Sequence, residues 1–67
     1  MKFYHVGSSV GSLADQLASV DLVTAMGGHL VGRSPIIHGG FFVQATPEVA
    51  WELGLTEVDS PSVIPTA

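Results

Sequence analysis

Apolar residues cluster along this chain in two ways, one suited to strands and one to helices. Lys2 to Val6 packs aromatic and β-branched types into a few positions, the pattern of a short strand. Small residues follow in Gly7-Ser8-Ser9-Val10-Gly11, which reads as a turn. Ser12 then stands where a helix N-cap belongs, with Asp15 three residues later in the capping-box position. The helix after it carries Leu13, Leu17, Val20 and Val23 or Thr24 on one face, at i, i+4, i+7 and i+10 or i+11. Asp15 and Asp21 fall near the margins of that face, and Ala14, Ala18 and Ala25 allow close packing. Gly27-Gly28 ends the helix, since a left-handed C-cap favours glycine.

The second half repeats the scheme. His29-Leu30-Val31-Gly32-Arg33 comes next, and then Ser34-Pro35, which breaks any regular element. Ile36 to Ala45 is the most β-prone stretch, with Gly39-Gly40 marking a bulge or bend inside it. Thr46 caps a second helix, Pro47 takes its first position, and Glu48 complements the positive end of the helix dipole. Gly54 closes that helix and Leu55 can fold back over the cap. From Thr56 onward Pro61 and Pro65 disfavour helix, so an extended arm is expected. The pattern predicts a small α+β fold of order β-α-β-α over residues 1–55, with an extended proline-containing tail over 56–67.

Composition adds a constraint on the surface. At 67 residues the chain is one domain at most, and chains of this size bury only about 60% of their unfolded surface. Charged residues make up 12% of it, about half the usual share, so much of what faces outward is apolar or neutral. That favours protein partners or self-association, with a homo-oligomer or a place in a larger assembly expected. The net charge of −4 rests on six acids against Lys2 and Arg33, too few cations to neutralise phosphates, so neither nucleic acid nor an anionic membrane is an expected partner. No cysteine is present, which removes disulfides and thiolate chemistry and fits a reducing compartment. No apolar run approaches the ~20 residues of a membrane span, and the start does not resemble a signal peptide. A soluble protein of the cytoplasm, or of a particle assembled there, is expected.

Several short motifs carry little chemistry here. Gly7-Ser8-Ser9-Val10-Gly11 fits G-x-S-x-G, yet a nucleophile elbow needs a large sheet bearing an acid and a histidine. The same glycines are followed by no lysine, so they are no P-loop. His5, His29 and His38 have no short-range ligand spacing, and no metal is expected. Ala50-Trp51-Glu52-Leu53-Gly54 mimics part of a helix-turn-helix, but the following segment contains Pro61 and lacks basic residues. Trp51 reads as a core anchor or, if exposed, as an interface residue.

One constellation has a family likeness. Phe3-Tyr4-His5-Val6-Gly7-Ser8, a helix, Gly39-Gly40-Phe41-Phe42-Val43 and then Pro47-Glu48-Val49-Ala50 resembles the N-terminal half of ADP-ribosyltransferase-like proteins. The resemblance covers residues 3–11 and 39–54. It implies NAD as cofactor, with His5 on the ribose, Phe41 or Phe42 stacked on nicotinamide, and Gly7 and Gly40 as close-approach positions. The family's second motif usually has tyrosine where phenylalanine stands here, and no residue matches its catalytic glutamate. Glu52 falls within the second helix and Glu57 in the tail, so group transfer without that carboxylate is expected to be very slow.

Two functional expectations follow. The first is a small non-catalytic interaction or assembly subunit, such as an accessory structural component of a virion or another multi-chain particle, with no cofactor. Its interface would use Trp51 and the apolar tail residues Val58, Val63 and Ile64. The alternative is a minimal or degenerate ADP-ribosyltransferase-like NAD binder using His5, Gly7, Gly40, Phe41 and Phe42.

Overall fold

The structure, a computed structural model, describes residues 1–34 and 39–59. Its elements are β1 (Lys2–Val6), α1 (Leu13–Ala25), β2 (His29–Arg33), β3 (Phe41–Ala45), α2 (Pro47–Leu53) and β4 (Thr56–Val58). The strands form one sheet in the order β2-β3-β1-β4, each antiparallel to its neighbours. The α+β class and both helices stand as expected, but the sheet has two more strands than the sequence pattern predicts.

Both additions have a physical reason for being hidden. In β2 the register slips between Leu30 and Gly32, so a bulge breaks the alternation that would have marked the strand. β4 is only three residues long, and its ladder comes from β1 more than fifty residues earlier, with Phe3 opposite Val58 and His5 opposite Thr56. The expected arm over 56–67 thus begins as an edge strand of the sheet. Pro61, Val63, Ile64 and Pro65 lie outside the described residues, as do Pro35 to His38.

Register assigns the two faces of the sheet. Tyr4 lies opposite Val43 and Val6 opposite Phe41, while Phe3 meets Gln44 and His5 meets Phe42 on the other side. Tyr4, Val6, Val43 and Ala45 are buried together with Val20 and Val23 of α1 and Val49 and Ala50 of α2. Both helices therefore cover the same face. On the opposite face Phe3, His5, Phe42, Gln44 and Val58 stay half-buried, and no helix among the described residues packs over them.

The helix ends follow the sequence closely. Ser12 Oγ accepts the Asp15 N–H, and the Asp15 carboxylate accepts the Ser12 N–H at 3.0 Å, completing the capping box. At the other end the Gly27 N–H donates to Thr24 O and the Gly28 N–H to Val23 O, with Gly27 at φ 93°. α2 closes in the same manner, its Gly54 N–H donating to Trp51 O and its Leu55 N–H to Ala50 O. Gly54 there is left-handed and Leu55 packs against the core.

The face of α1 that packs is not the one its leucines mark. Gln16, Ser19, Val20 and Val23 are buried, whereas Leu13 is 63% exposed and Leu17, Leu22 and Met26 are exposed as well. The helix is rotated so that Gln16 and Ser19 replace Leu13 and Leu17 in the seam. Gln16 is held there by donating from Nε2 to the Gly11 carbonyl at 3.1 Å, which fastens the β1–α1 turn to the helix. Among the described residues no helix is long and apolar enough to cross a membrane.

Two measurements test this arrangement. Val23→Ala should lower stability by about 2 kcal/mol, while Leu13→Ala changes that of the dilute chain by less than about 0.5 kcal/mol, both read by urea unfolding. A chain ended at Leu55 should be less stable than one ended at Asp59 by on the order of 1–2 kcal/mol, because only the first loses the β4 ladder.

Candidate functional site

The residues singled out by the family likeness fall in two places. His5 and Phe42 are register partners on the open face, with ring centroids 5.2 Å apart and planes inclined by 53°. The His5 Nε2 is hydrogen-bonded to the carbonyl of Gly39, which ties the middle of β1 to the chain just ahead of β3. A carbonyl can only accept, so Nε2 is the donor in this contact.

Glycines make this packing possible. A Cβ on Gly7 would come within 2.4 Å of His5 Cε1, so the imidazole lies in the space a side chain would take. Gly40 is more constrained still. Its φ is 76°, and a Cβ there would stand 2.0 Å from Val6 O and 2.9 Å from Gly7 Cα. Backbone meets backbone at this point, where β3 starts alongside the end of β1. His5, Gly7, Gly40 and Phe42 thus form one cluster.

Phe41 belongs elsewhere. It follows β-strand alternation onto the helix-covered face, where it lines a cavity of about 510 Å³ with Ser8, Leu13, Gln16, Arg33 and Gly40. The two phenylalanines therefore serve different faces and do not form one aromatic wall. Arg33 is exposed at the rim of this cavity.

The G-x-S-x-G turn has a structural use. Val10 N–H donates to Gly7 O at 2.9 Å and Gly11 N–H to Ser8 O at 3.2 Å, with Ser8 and Ser9 exposed. A side chain on Gly11 would strike the Asp15 carboxylate at 2.4 Å, so this glycine makes room for the capping box. Among the described residues no three His, Asp or Glu side chains gather as a metal would require.

The interface residues named from sequence are partly placed. Trp51 is 84% exposed on α2, and it is no core anchor. Val58 is half-buried in β4 beside Phe3. Val63 and Ile64 lie outside the described residues. What the pattern of apolar positions did not reveal is the exposure of Leu13, Leu17, Leu22, Met26 and Leu30. The narrower stripe Ser19, Val20, Val23 was the available signal, because small and β-branched side chains suit a close helix-on-sheet contact.

The protein-family models, the curated proteins and the solved structures compared with this chain give no match.

Gly40→Ala should cost several kcal/mol, since the new methyl group meets main-chain atoms that cannot swing away. Gly27→Ala, left-handed but facing open space, should cost only about 1 kcal/mol. Parallel denaturant titrations of the two variants separate these values.

Proposed function

We propose that this chain is a non-catalytic assembly subunit that self-associates through the flanks of α1. The observation behind this reading is the inverted burial of that helix, which encloses Gln16 and Ser19 while leaving Leu13, Leu17, Leu22 and Met26 exposed. Each such side chain contributes roughly 1.5–3 kcal/mol when fully buried. Leaving them in water forgoes that stabilisation in a domain too small to spare it. On a helical projection Leu13 and Leu17 stand on one side of the buried seam, and Leu22 and Met26 on the other. Two apolar flanks on one helix suit a subunit that meets neighbours on both sides, as in a multi-chain particle.

The NAD-binding alternative draws less from the geometry. His5 spends Nε2 on the Gly39 carbonyl, and Phe41 and Phe42 divide between the two faces of the sheet. Nor does any residue match the family's catalytic glutamate, Glu52 lying in α2 and Glu57 in β4.

Light scattering over a dilution series should give a mass well above the 7.0 kDa of one chain. Leu17→Glu and Leu22→Glu should each lower that mass while leaving the circular dichroism spectrum unchanged. A wild-type chain that stays monomeric at high concentration, with NAD raising its melting temperature, would sink the assembly reading in favour of the nucleotide one.

A further inference from the structure

Trp51 lies on α2, away from the flanks of α1. We infer that the outer face of α2 is a docking site for an arginine-bearing segment of another protein, with Trp51 as its aromatic floor and Glu48 and Glu52 as its carboxylates. Pro47, Glu48, Trp51 and Glu52 are all exposed, while Val49 and Ala50 on the opposite side of the helix are buried. Together the four line a shallow groove of about 460 Å³. Glu48 is the i, i+3 neighbour of Trp51 and the i, i+4 neighbour of Glu52, so it adjoins both the indole and the second carboxylate.

Charge complementarity identifies the occupant. Glu48 and Glu52 are i, i+4 neighbours of like charge, an arrangement that weakens a helix. Glu52 also sits in the last turn of α2, at the negative end of its dipole, and that turn holds no basic residue. Among the described residues Lys2 with Glu57, at 3.4 Å, is the only ion pair, so neither glutamate of α2 has a cationic partner among them. A cation placed over Trp51 would relieve the repulsion and gain the attraction of the indole face. Arginine fits better than lysine, because a planar guanidinium stacks on the ring and still presents N–H donors to the carboxylates beside it. Tryptophan and arginine are also among the residue types most enriched at the energetic centres of protein interfaces.

The test uses the chain's one tryptophan as its own reporter. A short oligoarginine peptide, titrated into the full chain at low salt, should change Trp51 emission saturably, with affinity falling as salt is added. Glu48→Gln with Glu52→Gln should weaken binding about tenfold or more, whereas Asp21→Asn with Asp59→Asn, which removes the same charge elsewhere, should change it less than about threefold. Calorimetry with Trp51→Leu should show a comparable loss. The inference is overturned if no saturable change occurs, if both double variants lose affinity equally, or if Trp51→Leu binds the peptide as the parent does. It is also overturned if emission shifts with protein dilution alone and Arg33→Gln abolishes the shift, for then the occupant is a second copy. Because the peptide site and the flanks of α1 share no residue, Leu17→Glu and Leu22→Glu should leave peptide binding intact whatever they do to the mass.

Discussion

The thinness of the core governs the rest of this molecule. Its largest fully buried side chains are three valines, Val6, Val23 and Val43, joined by Tyr4, Ala45, Ala50 and their neighbours. Small side chains bring the helix layer close to the sheet. Gly28 marks how close, for a Cβ there would lie 2.6 Å from Val23 Cγ1 and 2.4 Å from the Gln44 carbonyl. A seam this narrow admits Ser19 and Val20 more readily than leucine, since interiors are close-packed and extra methylenes must be accommodated by strain. The large apolar side chains of α1 are left outside as a result. An exposed apolar surface thus arises as the counterpart of the core that excludes it.

The cluster around His5 shows how a motif can be legible and still be mainly architectural. Histidine, two glycines and an aromatic converge where β1 ends and β3 begins. The contacts they make, however, are with their own backbone: an imidazole over Gly7, a ring–carbonyl hydrogen bond, and Gly40 pressed against Val6. These contacts hold β1 and β3 in register at the point where β3 begins. Spacing in sequence reports that residues meet. It does not report which of their hydrogen-bonding groups remain free once they have met.

Local chemistry was the part of the fold that could be read directly. Ser12 with Asp15, Thr46 with Pro47, Gly27 and Gly54 all act within a few residues of themselves, so each cap was visible in the order of amino acids. Pairing of β1 with β4 was not visible, because nothing near Thr56 announces a partner at the opposite end of the chain. Nor was the rotation of α1, since periodicity ranks faces by hydrophobicity and cannot sense the width of the gap the helix must fill. Gln16 illustrates the limit. Its place in the seam depends on the Gly11 carbonyl, which becomes available only after the turn has formed. Trp51 could be read either way, and its surroundings decided.

The strand order carries a consequence for how the chain acquires its structure. β1 occupies an inner position, yet both of its partners come from the second half, β3 from residue 41 and β4 from residue 56. Every hydrogen bond it makes in the sheet closes a loop of dozens of residues, and such contacts are assembled slowly. Of the four described strands, the one earliest in the sequence is thus among the last to be completed. Tyr4 and Val6 remain without their β3 neighbours until Phe41 to Ala45 have docked beside them. Until β3 docks, β1 is therefore an unpaired, β-prone segment, and that is the interval in which shielding by a chaperone has the most to protect.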